Sequence, residues 1–504
     1  MVTLVSFAAE LLYEIFSYLP PSSLVSVCQT CRDLQRFAEP YLYESITWGF
    51  YTCYVKAVEL CSSASRLERN AALPDIPAPL DIQPLWLDAL KQQHLPGREI
   101  ETFRSEVCKG NPGALMGLLL ASLHNLQVLV TDYTMLCQSN LPQVVFKHAQ
   151  VPETRSYRGS RLLKVKEVTI RNNLDSRIIK CRTNPQIASV FCLRSLERVT
   201  AILQRTNHIP WKKTGVASHA KLPTLHTLRL IDHLSSPRTI PELLANAPRL
   251  DRFEYFLVEN TDELAADEKY ECLHTNSWKA FSTALLAVAG SLKTLIISID
   301  EAFTSDYPPE TMDVDWMFGI SARRGCIGSL QSLRCLTKLE IPMYILLGRD
   351  PHITKLRDVL PPSLRKLYLR DDHVYEVDLD NCEPERVIGL LRDYLLGHEH
   401  GNMAESPLLE KLRIKLRRGS WASDDDLWAL MEMSEEAGVY CTVHLRKSSF
   451  LSTEDEVIDE IEELIIYDPF AANSESGAEE TLIGDTGYPT RSFNEAARCF
   501  ESSA

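Results

Sequence analysis

Two pairs of residues have the types and spacing that could bind a metal ion. Cys28 and Cys31 stand three positions apart, and His398 and His400 stand two positions apart between two glycines. A structural zinc site needs a second pair of ligands at a suitable spacing, and neither pair has one near it. The cysteines are therefore predicted to be core thiols on a helix, and the histidines to belong to a polar loop.

The sequence also contains none of the common catalytic signatures. It has no glycine-rich phosphate loop, no serine-hydrolase elbow and no H-E-x-x-H zinc motif. No nucleophile stands beside a base in a recognisable arrangement. We therefore expect no catalytic residues, no metal and no cofactor, and we expect that the chain is not an enzyme. An enzyme with an α/β fold is the weaker alternative.

Composition limits the remaining functions. The chain has 504 residues, of which 45% are hydrophobic, which is enough for two or more packed units. Its 68 acidic and 53 basic residues give a net charge of −15, which argues against a general nucleic-acid or anionic-membrane binder. The 14 cysteines occur singly and no secretory signal is recognisable. We expect reduced, mostly buried thiols and a location in the cytoplasm or nucleus.

The first 50 residues are predicted to form three short helices. An apolar stripe runs along the first of them, through Leu11, Leu12, Ile15, Phe16 and Leu19. Pro20 and Pro21 end that helix, and Ser22 or Ser23 can cap the second. Three helices of this length cannot bury all of their apolar side chains among themselves. The surface of another protein is therefore expected to cover the rest.

This segment resembles an F-box, the motif through which adaptors dock on the Skp subunit of an SCF-type cullin-RING ubiquitin ligase. The resemblance implies docking through Phe7, Glu10, Leu11, Leu12, Ile15, Phe16, Leu19, Leu24, Val27 and Cys28, with Arg32 also in its family place. Ala8 stands where the family usually has Pro, and Cys31 where Trp or Phe is common, and both are expected to weaken docking. The alternative is an ordinary helical cap packed on the rest of the chain. The stretch Glu39 to Trp48 resembles the exit of fungal F-box proteins.

A leucine motif then recurs between about residues 120 and 447. Its clear copies include "LPTLHTLRL" from Leu222, "AGSLKTLIIS" around Leu295, "LQSLRCLTKLEI" around Leu339, "LPPSLRKLYL" around Leu367 and "SPLLEKLRI" around Leu412. The final L-x-L of each copy is predicted to be a strand, and the stretches between copies have helical spacing. This is an α/β repeat with one strand and one helix per unit.

The pattern resembles the irregular leucine-rich repeats that follow an F-box in many adaptors. The resemblance implies a solenoid over residues 120–447, after an F-box in residues 1–50 and a helical, proline-rich segment in residues 51–119. Residues 448–470 are expected to form an acidic capping helix, and residues 471–504 a disordered tail. The asparagine of the usual repeat motif is missing. A layered α/β domain with parallel strands shares the same alternation and remains the alternative.

In a solenoid, strand residues between the inward ones point to the concave face, which is the usual partner surface. The candidates for binding on this face are Arg229, Glu254, Tyr368, Arg370, Arg413 and Lys415. The last four would form a basic patch with one aromatic ring, suited to an acidic or phosphorylated segment. Each could equally be an ordinary solvated strand residue.

The two resemblances together imply an adaptor that holds an unknown target protein beside a cullin ligase. The expected partners are the Skp-type subunit and that target, without nucleic acid or membrane. A leucine-rich-repeat scaffold that binds proteins without any ligase is the alternative function.

Overall fold

The structure is a computed structural model. It describes residues 11, 12, 15, 16, 18, 19, 23, 24, 27, 34, 38, 45–46, 57–60, 95, 97–109, 111–123, 125–132, 136, 140–148, 164–171, 189–191, 193, 195–204, 222–233, 240–260, 275–302, 326–348, 355–372, 384–397, 408–416, 423–446 and 463–467. The chain divides into two compact units: Met1–Ile202 with His208–Leu225, and Leu203–Asn207 with His226–Ala504. None of the described helices has the length and apolar character needed to cross a membrane.

The first unit contains a parallel sheet whose strands follow one another in chain order. The strands are β1 (Ser45–Ile46), β2 (Ala57–Leu60), β3 (Val128–Asp132), β4 (Glu167–Arg171) and β5 (Arg198–Gln204). The helices are α1 (Gly97–Cys108), α2 (Pro112–Ser122) and α3 (Leu141–His148). Strand β4 shows the expected alternation, because Val168 and Ile170 are buried and their neighbours are more exposed.

Helix α2 is apolar on all sides because it packs against both α1 and α3. Asn111 caps its first turn: the side-chain oxygen accepts hydrogen bonds from the amides of Gly113 (2.9 Å) and Ala114 (3.3 Å). Within α2, Gly117 lies against the buried ring of Phe103 on α1. A glycine is needed there because the ring occupies the space of a side chain.

The second unit also has parallel strands in chain order, followed by one antiparallel strand. The strands are β6 (Thr227–His233), β7 (Arg252–Asn260), β8 (Thr294–Ala302), β9 (Lys338–Pro342), β10 (Lys366–Arg370), β11 (Lys411–Leu416), β12 (Tyr440–Arg446) and β13 (Glu463–Tyr467). The helices are α4 (Ile240–Ala245), α5 (Thr275–Leu285), α6 (Met343–Leu347), α7 (Leu356–Val359), α8 (Pro384–Leu396) and α9 (Asp424–Glu436), with a 3₁₀ turn at Leu286–Val288.

Side chains from equivalent motif positions stack in register across the second unit. One such row passes through Leu228, Phe253, Leu295, Leu339, Leu367, Leu412 and Cys441, and every member is at most 2% exposed. The upstream leucines of the motif copies, such as Leu336 and Leu364, are buried as well. The α/β parallel sheet predicted from the sequence is therefore present, and its strands coincide with the L-x-L pairs.

A ladder of hydroxyl groups joins successive motif copies just before their strands. In each case a Ser or Thr hydroxyl donates to a backbone carbonyl of the preceding copy: Ser195 to Val165 (2.7 Å), Thr224 to Leu196 (2.9 Å), Ser291 to Leu250 (2.8 Å) and Ser363 to Leu336 (2.8 Å). These bonds satisfy carbonyls at the bends, where no strand partner is available. The hydroxyls thus link each of these motif copies to the one before it.

The expected capping helix at residues 448–470 is replaced at its end by β13, which pairs antiparallel with β12. The segment "ELIIY" carries two adjacent isoleucines, and β-branched residues favour a strand when an unpaired sheet edge is available. Residues 448–462, like the tail from 471, lie outside the described residues. The described free cysteines differ from the expectation of mostly buried thiols: of these four, only Cys441 is buried, whereas Cys326 and Cys335 are partly exposed and Cys108 is exposed.

Candidate partner-binding sites

The N-terminal segment has a small apolar core. The described positions at 11, 12, 15, 16, 23, 24, 27, 34 and 38 are helical. Their inward side chains form one buried cluster, consisting of Leu12, Phe16, Leu24, Leu34 and Ala38, with Leu19 and Val27 packed against it. Because Leu12 and Phe16 are only 2% and 1% exposed, they stabilise the core of the N-terminal segment and present almost no surface to a partner.

The first helix and the turn after it expose a second apolar line. Leu11 is 49% exposed, Ile15 39% and Tyr18 81%. Leu11 and Ile15, at i and i+4, lie on one side of the helix, and Tyr18 follows in a turn. Large apolar side chains in such a row are the usual composition of a protein-docking surface. The burial therefore divides the predicted docking residues into an internal group and an outward group, and it adds Tyr18, which the sequence did not single out.

Three of the predicted docking residues, Phe7, Glu10 and Cys28, lie outside the described residues, as do Ala8 and Cys31. The histidine pair His398 and His400 also lies outside them. Among the residues that the structure does describe, no group of three or more His, Cys, Asp and Glu side chains could hold a metal ion.

The six residues predicted for the second site lie on one face of the second unit's sheet. Register pairs Arg229 with Glu254, and Tyr368 with Arg413. Two residues further along the same strands, Arg370 pairs with Lys415. Their alternate positions put all six on the side opposite the leucine rows. The structure thus brings Tyr368, Arg370, Arg413 and Lys415 together, as the sequence predicted.

Arg370 is the centre of a buried ionic network rather than a free cation. Its guanidinium donates to both carboxylate oxygens of Asp372 (2.9 and 3.1 Å), to Glu340 (2.7 Å) and to the hydroxyl of Ser298 (2.8 Å). Asp372 also accepts from the backbone amide of Ile299 at 3.0 Å. The side chain of Arg370 is only 8% exposed. The prediction that it offers its charge to a ligand is therefore corrected.

The network has strong electrostatic consequences for its carboxylate. Burial by itself raises the pKa of Glu340, but the positive charges of Arg370 and Lys415 together lower it by more. The pKa therefore lies below its ordinary value. The Lys415 ammonium is 3.0 Å from the Glu340 carboxylate. Burial lowers the pKa of Arg370, but Asp372 and Glu340 outweigh it and the pKa is raised. The opposite charges in the network therefore favour the ionised forms of Glu340 and Arg370.

Glu254 forms a second charged group on β7. Its carboxylate lies 3.5 Å from Arg229 and also accepts a hydrogen bond from Arg252. The Arg229 guanidinium sits over the ring of Phe256, with its carbon 4.9 Å from the ring centroid. Glu254 itself is 6% exposed. This residue therefore anchors two arginines, and it is not an exposed contact residue.

The ring of Tyr368 is also engaged. The Lys338 ammonium lies 4.7 Å from its centroid, and the Arg413 guanidinium lies 4.9 Å from it. Burial lowers the pKa of Lys338, and nearby Arg252, Lys415 and Arg413 lower it further against the opposing effect of Glu340. Tyr368 therefore packs between cations.

Sequence reasoning missed a row of lysines at the starts of three adjacent strands. Lys338, Lys366 and Lys411 are paired in register across β9, β10 and β11. The signal was present in the motif, since a lysine directly precedes the L-x-L pair in "KLEI", "KLYL" and "KLRI". The predicted contact residues lie within or directly after the L-x-L pairs, and the position before each pair is not among them.

The comparisons with known proteins concern the N-terminal segment. Residues 9–47 match the F-box-like family. The chain therefore contains an F-box-like domain. No curated protein matches the chain. The matched range includes the buried cluster and the exposed line of Leu11, Ile15 and Tyr18, whereas Phe7 and Ala8 precede it.

Proposed function

We propose that this chain is a substrate-recognition adaptor of an SCF-type cullin-RING ubiquitin ligase. The observation that carries the proposal is the F-box-like match at residues 9–47. Within that range, Leu11, Ile15 and Tyr18 form an outward apolar line over a core that is already closed. F-box domains dock on Skp-type subunits, and we assign that contact to this line.

The second part of the proposal concerns the sheet units. We assign them to leucine-rich repeats, because the motif leucines stack in register and strands follow in chain order. The sheet face opposite the leucine rows would hold the target protein. The adaptor would act by proximity: it raises the effective concentration of the target beside the ubiquitin-charged enzyme. In this mechanism the chain supplies no nucleophile, metal or cofactor, and it works in the cytoplasm or nucleus.

The docking test changes two exposed residues so that the internal core is kept. The full-length chain carrying Leu11→Asp and Ile15→Asp is compared with wild type for capture of a purified Skp-type subunit. Burying two new carboxylates in an apolar interface is costly, so we expect capture to weaken by roughly tenfold or more. A matched control carries Leu286→Asp and Leu408→Asp, which are exposed apolar residues of the second unit (52% and 59%). This control is expected to bind as wild type does.

Wild-type protein that fails to bind any Skp-type subunit would refute the adaptor proposal and favour the scaffold without a ligase. Equal loss in the Leu286 and Leu408 control would show that the effect is not specific to the F-box-like domain. Circular dichroism of each variant checks that its helices are retained.

A further inference from the structure

One face of strands β9, β10 and β11 carries a large excess of positive charge. Among the described residues on this face there are six cations, which we call the cationic face: Lys338, Lys366, Arg370, Lys411, Arg413 and Lys415. Only two carboxylates, Glu340 and Asp372, lie with them. The surplus is notable because the whole chain has a net charge of −15.

The neighbouring strands carry fewer charges on this face. Next to β9, β8 presents Thr294, Ile296 and Ser298, and next to β11, β12 presents Tyr440, Thr442 and His444, according to the strand register. None of these six carries a fixed charge, although Arg252 of β7 is near enough to lower the pKa of Lys338. The positive charge is therefore densest over three strands, or roughly 10–15 Å across.

The two carboxylates are already used inside the sheet face. Glu340 is contacted by Arg370, by Lys415 and, at 3.9 Å, by Lys338, and Asp372 accepts from Arg370 and from the amide of Ile299. Because two carboxylates are shared among six cations, the face keeps a net positive charge. Burial is the main reason that the pKa of Lys338 is lowered, and the neighbouring cations lower it further against the opposing effect of Glu340.

Exposure differs along the strands. Along β10, Lys366 is exposed whereas Arg370 is buried, and Lys338 retains 27% exposure at the start of β9. Lys411 is half-buried at the start of β11. Strands in a sheet lie about 4.8 Å apart, so a segment that crosses the strand starts can reach all three side chains. The ammonium groups of Lys338 and Lys411 lie 4.7 Å from the ring centroids of Tyr368 and Tyr440.

We propose that the cationic face binds an acidic, carboxylate-rich segment of the target protein, which crosses the strand starts along Lys338, Lys366 and Lys411. This proposal rests on the proposed function and names the chemistry of the captured segment. Carboxylates would add charge-assisted hydrogen bonds to lysines that stand at paired positions on adjacent strands. The strongly acidic remainder of the chain disfavours binding of such a segment elsewhere on it.

A protein segment fits this face better than nucleic acid does. Single-stranded nucleic acid usually needs an aromatic platform on which bases stack. The ring of Tyr368 already has cations of Lys338 and Arg413 within 5 Å of its centroid. The patch is also short, whereas a nucleic-acid site follows a long charged backbone.

The test uses full-length protein and a fluorescein-labelled peptide in which Glu alternates with Ser, with the Gln-for-Glu peptide as its comparison. The variant Lys338→Gln, Lys366→Gln, Lys411→Gln removes three charges and keeps long polar side chains. The matched control is Arg249→Gln, Lys279→Gln, Arg392→Gln, three exposed cations outside this sheet face. Fluorescence anisotropy is expected to give a dissociation constant raised roughly tenfold in the lysine variant and unchanged in the control.

Each outcome decides the proposal. Preference of wild type for the Glu peptide, lost in the lysine variant and weakened by salt, supports it. Equal loss in the control, or equal binding of the Gln peptide, overturns it. Binding of single-stranded RNA or phosphatidylserine vesicles more tightly than the Glu peptide, with the same lysine dependence, also overturns it.

Capture of the Skp-type subunit is measured on the same preparations. It depends on the F-box-like domain and is expected to be equal for wild type and the lysine variant. Loss of peptide binding with Skp capture retained therefore concerns the cationic face alone. Failure of Skp capture in wild type concerns the proposed function and leaves the peptide result to be judged separately.

Discussion

Replacement of Arg370 by methionine should be among the most damaging single changes to the second unit. The substitution keeps a flexible, unbranched side chain, although a shorter one, and removes the charge and the donors. It leaves the carboxylates of Glu340 and Asp372, whose side chains are 6% and 4% exposed, without the guanidinium that contacts both. Removing one partner of a buried ion pair costs about 3–5 kcal/mol.

Lys415 moderates this cost, since it remains 3.0 Å from Glu340. Asp372 keeps the amide of Ile299 but loses both bonds to Arg370. The expected loss in the free energy of unfolding is therefore at the lower end of the range for a buried ion pair, about 3 kcal/mol. Urea denaturation at neutral pH, followed by circular dichroism, measures it.

A matched arginine lies at the start of the same strand. Arg365 also contacts a carboxylate, Glu410 at 2.8 Å, but both side chains are more than half exposed (55% and 56%). An exposed pair contributes only about 0–1 kcal/mol, so Arg365→Met should change the unfolding midpoint little. If Arg370→Met and Arg365→Met lower the free energy of unfolding equally, burial does not determine how much the network contributes to stability, and the reasoning is wrong.

Two further predictions concern single positions. The pKa of Glu340 is lowered in the folded state, so its stabilising contribution is present above the ordinary glutamate pKa and is lost as pH falls through the lowered value. The stability difference between wild type and Glu340→Gln, measured by urea unfolding, should shrink as pH is lowered; a difference independent of pH contradicts this. Gly117→Ala would place a methyl group 2.7 Å from the ring of Phe103 and should cost about 1–3 kcal/mol in thermal or urea unfolding. Gly389→Ala, in a helix with open space around the glycine, should instead stabilise by up to about 1 kcal/mol, and a loss at both positions would mean that the ring contact is not responsible.

The strand positions were predictable because two features of the motif indicate burial: the alternation in the L-x-L pair and the spacing of the leucines before it. In "LPTLHTLRL", Leu228 and Leu230 alternate with Arg229, and alternation of this kind defines which face of a strand is inward. The three-residue spacing before each pair fixes where the bend lies. The hydroxyl ladder was not predictable in the same way, because Ser195 and Thr224 are ordinary bend residues until the preceding motif copy is in place beside them.

The docking residues were predictable only as a group. Leu11 and Leu12 are adjacent in the sequence and differ by about 100° around a helix, so that either could face inward. The choice depends on Leu24, Leu34 and Ala38, which close the core against Leu12. Likewise, the partner of Arg370 on β9 is distant in the sequence, and a spacing rule within one strand cannot find it. The acidic pattern around residues 463–467 predicts a helix, but the edge of β12, which the sequence alone does not reveal, pairs with this segment as a strand.

The charges on β9–β11 follow from the repeat itself. The position before each L-x-L pair lies in one register row, which holds Thr227, Arg252 and Thr294 before it reaches Lys338, Lys366 and Lys411. Equivalent positions of successive repeats are far apart in the sequence but lie about 5 Å apart on adjacent strands. Where successive repeats carry lysine at this position, the lysines become neighbours. Glu340 and Asp372 are shared among Arg370, Lys415 and Lys338, so this face keeps more positive than negative charge. A stable sheet face and a reachable line of positive charge are therefore two results of the same arrangement, in which acidic groups are buried with the inner cations and lysines are kept at the strand starts.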